Sequence, residues 1–370
     1  VIPPEADART RDVLERYGFD AVPFDELRAR VAAGELSPAS NVVAGVVEPP
    51  EPDELTPLPE PGGPGHAEAR DAGLAALRAG RVAAVVLAGG MATRFGGVVK
   101  GAVDAVDGRS FLEIKLADAA AAAEVLAADV PVALMTSFAT DAATRASVAE
   151  RSLPEPLWFS QFVSLRLEPD GSLFREASGS LSPYGPGHGD LFDALRRSGL
   201  AAELRRRGVD VIVVSNVDNL GARIDPVVVG AHLLGGRSMT SEVAVKDGDM
   251  GGAPARVDGR LRLLEKPCFP SGFDHDTIPV FNTNTALFDL AVVDRPFDLT
   301  WLYVEKPVDG RTAVQLERLY HEASAFLDTT YLVVPRTGPR GRFFPIKTPD
   351  DLVRSQPALR EMLASSPLRG

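Results

Sequence analysis

From residue 66 onwards the chain alternates two patterns of apolar positions. RVAAVVLAGG (81–90) is apolar almost throughout and ends in paired glycines. That is the pattern of a parallel strand buried on both faces and running into a loop. VPVALMTS (130–137), PLWFSQ (156–161) and VDVIVVSNVDN (209–219) repeat it, and helical spacing fills 66–80, 110–126, 140–150 and 190–208. Alternating strands and helices predict a parallel sheet covered on both faces, and right-handed crossovers make it doubly wound. The predicted fold class is α/β, a doubly wound, mixed but mostly parallel sheet flanked by helices. Past residue 240, SEVAVK and GRLRLLEK predict a more antiparallel subregion covering one end of the sheet. Upstream, residues 5–18 and 24–34 carry helical spacing, and Val47 to Gly65 holds seven prolines in 19 residues. Proline removes donors and fixes φ, so this stretch is expected to be an extended connector. The expected division is a helical N-terminal extension with its Pro-rich connector over 1–65, a main domain over 66–355, and a C-terminal tail over 356–370.

Composition narrows the class. The 370 residues carry 39 Lys and Arg against 51 Asp and Glu, a net charge of −12. That balance argues against nucleic acid as the main partner, but a few local cations still suffice for small phosphorylated ligands. The longest purely apolar run, Val82 to Ala88, falls far short of the ~20 residues that span a bilayer, so no membrane partner is expected. The chain begins Val-Ile-Pro-Pro-Glu without a basic-then-apolar leader. A single cysteine, Cys268, excludes an intrachain disulfide framework and a cysteine-based zinc site, and fits a reducing, cytoplasmic location.

Ligands of doubly wound sheets bind at the carboxyl ends of the strands. The first long strand ends in LAGGMATRFGGVVKG (87–101), with five glycines in 15 residues, Arg94 inside and Lys100 near its end. Gly89 and Gly90 allow close backbone approach, and loop amides with nearby cations attract phosphate oxygens. The spacing is neither GxGxxG nor GxxxxGK[ST], which argues against a dinucleotide-dependent dehydrogenase and a P-loop kinase. A second cluster, SPYGPGHGDLFDAL (182–195), sets Gly187, His188 and Gly189 before a helix with Asp190 at its N-cap position. Such a turn presents backbone donors and one neutral imidazole. His66, His232, His275 and His321 have no such setting and read as structural or exposed. A third cluster, VSNVDNLG (214–221), places Asn216, Asp218 and Asn219 at a strand end, where a carboxylate can hold Mg²⁺ against phosphate oxygens. VFNTNTALF (280–288) puts Asn282 and Asn284 on one face of an extended segment, where two amides suit sugar hydroxyls or a turn. Glu265 and Lys266 follow an apolar run, and Lys347 stands in the otherwise apolar FFPIKTPDDL (343–352).

In this order the clusters resemble the UTP–glucose-1-phosphate uridylyltransferase family, the eukaryotic-type UDP-sugar pyrophosphorylases. SFLEIKLAD (110–118), PVALMTSFATDAAT (131–144), FSQ (159–161), LRLLEK (261–266) and VQLE (314–317) take their places between the motifs already quoted, so the likeness spans about 80 to 355. The loop reads Ala92-Thr93 and Val99-Lys100-Gly101 where the family has Gly-Thr and Pro-Lys-Gly. The resemblance implies a GT-A-like Rossmann-type core that joins a nucleoside triphosphate, UTP favoured, to a sugar 1-phosphate, glucose 1-phosphate favoured. GTP or ATP with another sugar or cyclitol phosphate, and a non-catalytic nucleotide-sugar-binding regulator, stay open beside it. By resemblance, Leu87, Ala88, Gly89, Gly90, Gln161 and Gly187 surround the nucleotide and Lys100 and Lys347 contact phosphates; with Arg94, whose charge the loop itself places there, they are the expected catalytic residues. Asp218 holds Mg²⁺, and His188, Asn219, Glu265, Asn282 and Asn284 line the sugar-phosphate side. The chain ends 23 residues after Lys347, so the family's C-terminal β-helix is not expected in it, and a monomer or small homo-oligomer is.

Overall fold

The computed structural model describes residues 1–92, 95, 97–249, 251–344, 346 and 348–368. The alternating pattern resolves into a sheet of eight strands: β1 Leu55–Pro57, β2 Val82–Leu87, β3 Val132–Thr136, β4 Leu157–Ser160, β5 Val211–Asn216, β6 Met239–Val245, β7 Val280–Asp289 and β8 Thr329–Val333. Their order across the sheet is β1-β8-β6-β7-β5-β2-β3-β4. All neighbours run parallel except β7, which is antiparallel to β6 and β5. The sheet is therefore mixed and mostly parallel. After β4 the chain returns to the far side of β2 to lay down β5, so the strand order reverses at β2, where an open α/β sheet leaves a crevice.

Nine described helices surround the sheet, those from α3 onward on its faces and the first two on segments outside it: α1 Ala8–Arg16, α2 Ala21–Ala32, α3 His66–Arg78, α4 Phe111–Leu126, α5 Asp141–Glu150, α6 Leu191–Arg197, α7 Leu200–Arg206, α8 Pro226–Gly235 and α9 Pro349–Ala364. Successive side chains of a strand point to opposite faces, and both cores follow from that period. Ala83 and Val85 of β2 pack with Ile212 and Val214 of β5 against Leu191, Leu195 and Leu204 of α6 and α7. Val82 joins Val211 and Val213 on the other face, against Leu74 and Leu77 of α3, Val228 of α8 and Ala122 of α4. The α4 N-terminus sits where Ser110 accepts the Glu113 amide at 3.1 Å. The stretch 190–208 forms two helices because Gly199, at φ 78°, turns the chain between them. Helices α3 and α8 meet backbone to backbone. A β-carbon at Gly230 would run into the Ala69 carbonyl, and one at Gly73 into the Pro226 carbonyl.

Three segments differ from the sequence reading. SEVAVK belongs to β6, inside the central sheet, and not to a subregion over its end. GRLRLLEK does lie in an antiparallel sheet, where Arg260–Leu264 pairs with Ala253–Val257. The Pro-rich stretch is partly built into sheets, because Val47–Glu48 pairs with the 253–257 strand and β1 forms the sheet edge beside β8. Helix α9 crosses position 355 and buries Leu359 and Met362, so the chain has no structural break where the tail was expected to begin. Leu14 of α1 and Phe24, Leu27 and Val31 of α2 pack on Val163, Leu165, Val314 and Leu316.

Candidate active site

The crevice opens beyond the carboxyl ends of β2, β3 and β5. Its cleft, about 360 Å³, is lined by Leu87, Gly89, Gly90, Met91, Lys100, Gln161, Gly187, His188, Asn216 and Asp218, among others. The loop after β2 is held from below: the Met135 carbonyl accepts the Ala88 amide at 2.8 Å, Thr140 Oγ1 donates to the Ala88 carbonyl at 3.0 Å, and Ser137 Oγ donates to the Gly89 carbonyl at 2.8 Å. The loop continues as a short hairpin, Met91–Ala92 against Val98–Val99, and delivers Lys100 into a 3₁₀ turn. Gln161, just past β4, is buried with its amide against Gly89 and Gly185. A side chain at Gly185 would overlap that amide, so the Gly185 of YGPGHG makes room for Gln161. Sequence reasoning had not assigned Gly185 any role.

Lys100 and Asp218 form an ion pair, each side chain 22% exposed at the cleft. Asp218 and Asn216 face the cleft because period 2 carries on from β5 into the following turn. Asn219 breaks the alternation. It is buried, its Nδ2 donates to Thr285 Oγ1 at 3.3 Å and to the Arg342 carbonyl at 3.1 Å, and its Oδ1 accepts the Gly221 and Phe344 amides. Asn219 was expected to line the sugar side. The structure turns its amide into the protein and puts Asn216 at the cleft instead. The turn is clamped from α4, where Lys115 Nζ donates to Ser215 Oγ at 3.1 Å and to the Ala222 carbonyl at 2.7 Å. Burial pushes the Lys115 ammonium down to about 8. SFLEIKLAD carries this lysine, but helical spacing alone gave no reason to place it inside.

His188 forms the opposite wall. Gly187, at φ 94°, and Gly189 press against the backbone of Arg318, where β-carbons would clash. Burial pushes the His188 imidazole down to about 3, with the His321 ring acting in the same direction. The Tyr320 amide donates to His188 Nδ1 at 3.3 Å, so the neutral ring carries its proton on Nε2. Asp190 precedes α6 as expected, but its carboxylate does not cap the helix. It accepts the Phe162 amide at 3.0 Å and Arg318 at 2.7 Å.

A β-bulge brings the asparagine segment to this wall. Between the pairs Val243–Asn282 and Glu242–Thr285, strand β7 carries Thr283 and Asn284 as extra residues, with Asn284 at φ 56°. Asn282 Oδ1 accepts the Asn284 amide at 3.0 Å, and Asn284 Nδ2 donates to Asn216 Oδ1 at 3.0 Å. Glu265 lies 2.6 Å from His321 Nε2, and the His321 ring centre is 5.5 Å from that of His188. His321 had been read as structural or exposed. It is buried in this wall, and neither spacing nor an adjacent motif marked it. Arg94 and Lys347 lie outside the described residues. Among the described residues no three His, Cys, Asp or Glu side chains converge on one point, and no helix is long and apolar enough to cross a membrane.

The chain superposes on a UDP-glucose phosphorylase from Trypanosoma brucei with a TM-score of 0.75 at 23% identity, covering 94% of this chain and 78% of that one. A variant UDP-glucose pyrophosphorylase from Leishmania major, solved in complex with UDP-glucose, gives a TM-score of 0.72 at 24% identity over 94% of this chain and 77% of that one. The chain thus shares the fold of these two proteins, a mostly parallel sheet flanked by helices. Residues 37–366 match the UTP–glucose-1-phosphate uridylyltransferase family, and the chain belongs to it. The enzyme of that name from Encephalitozoon cuniculi is 30% identical over 286 residues, 74% of this chain and 57% of that one. Its Saccharomyces cerevisiae namesake is 31% identical over 296 residues, 74% of this chain and 58% of that one. The chain spans a little under three-fifths of the length of these two relatives.

Proposed function

We propose that the protein joins UTP and glucose 1-phosphate into UDP-glucose and releases pyrophosphate. One observation carries the reading: a lysine and an aspartate paired over a glycine-lined strand end, in a chain of this family. A sugar 1-phosphate is already anionic at neutral pH, so the reaction needs no strong base. It needs two polyanions brought together and charge stabilised at phosphorus. A phosphate oxygen of the sugar attacks the α-phosphorus in line. The α–β anhydride bond breaks, and its electron pair leaves with pyrophosphate. In this scheme Lys100 neutralises phosphate charge as the bond breaks, and the neutral His188 ring donates a hydrogen bond from Nε2–H to a phosphate oxygen and keeps its proton. Gly89 and Gly90 let the nucleotide lie close to the backbone, and Gln161 borders it. Arg94 and Lys347 are proposed as further phosphate contacts.

The donor set fits Mg²⁺ of a particular kind. Among the described residues one carboxylate, Asp218, lines this cleft beside Asn216, too little for a cage made by the protein alone. It is enough for an ion that keeps its waters and shares phosphate oxygens. Bound there, Mg²⁺ supplies charge neutralisation at those oxygens. The test is pyrophosphate release by wild type and K100M, with UDP-glucose affinity measured beside it. K100M is expected to lose about 100-fold or more in kcat while binding UDP-glucose within about tenfold, since charge that develops in the transition state is what it fails to meet. A K100M turnover within about threefold of wild type would remove Lys100 from the mechanism.

A further inference from the structure

His321 touches Glu265, Asn284 and His188, and the mechanism above does not use it. Its side chain is 5% exposed. Nε2 faces Glu265 Oε1 at 2.6 Å, and Nδ1 faces Asn284 Oδ1 at 3.3 Å. The orientation of Asn284 is fixed from its other end, where Nδ2 donates to Asn216 and Tyr320 Oη donates to the Asn284 carbonyl at 3.0 Å. The ring is wedged in place by Tyr320 and His188, whose centres lie 5.6 and 5.5 Å away.

Glu265 gains most from this arrangement. Burial by itself would raise its carboxyl, yet the charge and contact of His321 outweigh burial and hold it below the usual range. The side chain keeps 26% of its surface exposed, and among the described residues its second oxygen has no hydrogen-bond partner. Gly252 stands beside it: a β-carbon there would lie 2.6 Å from Oε1, and the Gly252 carbonyl accepts the Asn282 amide at 2.7 Å. A fixed acceptor, two amides and an imidazole N–H on one wall match a polyol phosphate better than a base. A site built to accept a hydroxyl also rejects the analogue that lacks it, because its own polar group is then left unpaired.

We infer that His321 is a positioning residue that fixes Glu265 as a hydroxyl acceptor, so that the chain selects its sugar phosphate by one ring hydroxyl. This inference rests on the function proposed above. Two measurements test it. The first is calorimetric binding of UDP-glucose and UMP to wild type, H321A, H321Q and E265Q. The second is kcat/KM for glucose 1-phosphate and each of its monodeoxy analogues.

H321A and E265Q should weaken UDP-glucose about tenfold or more while UMP binding stays within about twofold. One deoxy position should cost wild type about 100-fold or more, and H321A less than about tenfold. H321Q keeps an N–H toward Glu265 and should recover part of both losses. Should H321A not fold, H321Q and E265Q carry the same readouts. Equal loss of UDP-glucose and UMP in H321A, or a deoxy penalty unchanged from wild type, overturns the inference. Wild type that binds UDP-glucose but releases no pyrophosphate refutes the catalytic reading alone, and the binding data then decide this one. Wild type that binds no UDP-glucose refutes both.

Discussion

Asn216 and Asn219 stand three positions apart in one turn and have opposite surroundings. Asn216 meets the cleft and accepts from Asn284, whereas Asn219 ties the turn to Thr285, Arg342 and Phe344. Removing a buried amide with several partners leaves donors and acceptors unpaired, which costs about 1–3 kcal/mol for each group. N219A is therefore expected to lower the melting temperature by several degrees, with substrate KM near wild type in the protein that remains folded. N216A should show the reverse, nearly normal melting and a raised KM for the sugar phosphate. Thermal melts and steady-state kinetics on both variants check this, and the opposite assignment would mean that the turn is misread. The sequence located the turn and its carboxylate because strand period carries through Asp218. It did not separate the two asparagines, because the turn ends the alternation and Thr285, Arg342 and Phe344, which hold Asn219 from outside the turn, lie 66 and more positions away. His321 was hidden for a related reason. Its contacts, Glu265, Asn284 and His188, come from three separate segments that only the folded sheet brings together.

Long apolar strands and capped helices were legible from local pattern, as β2, β5 and α4 show. Strand β6 was misplaced because Ser241 and Glu242 make SEVAVK look half-exposed. In the fold Glu242 is fully buried and receives a two-armed contact from Arg342, Nε to Oε2 at 2.8 Å and Nη2 to Oε1 at 2.6 Å, 100 residues further on. A charge neutralised by so distant a partner gives no local sign. The same pair joins two elements that matter to the cleft. Arg342 also offers its carbonyl to Asn219 and leads into the segment that carries Lys347. Breaking a buried ion pair from one side leaves the other charge unpaired and typically costs about 3–5 kcal/mol. R342A should therefore unfold at markedly lower denaturant, while the double change R342M/E242L should regain much of the loss. Chemical denaturation of wild type and the two variants tests this, and a double variant less stable than R342A would contradict it.

Across the whole molecule, an acidic chain places Lys100 in a turn at the cleft. The net charge of −12 does not describe the cleft, where Lys100 projects beside Asp218 over neutral glycines. The N-terminal helices pack on strands after β4, and β1 completes one edge of the sheet, so the first 65 residues are part of the folded body. Every described residue of the proposed site lies within this chain, although the chain spans a little under three-fifths of the length of its Encephalitozoon and Saccharomyces relatives. The function proposed above predicts turnover by this chain. The most direct measurement is kcat/KM for pyrophosphate release, with Mg²⁺ present, from each of the four nucleoside triphosphates against glucose 1-phosphate and other sugar and cyclitol 1-phosphates. UTP with glucose 1-phosphate should exceed every other pair by about tenfold or more. A different base or sugar preferred by that margin, or no pyrophosphate from any pair, would contradict the account.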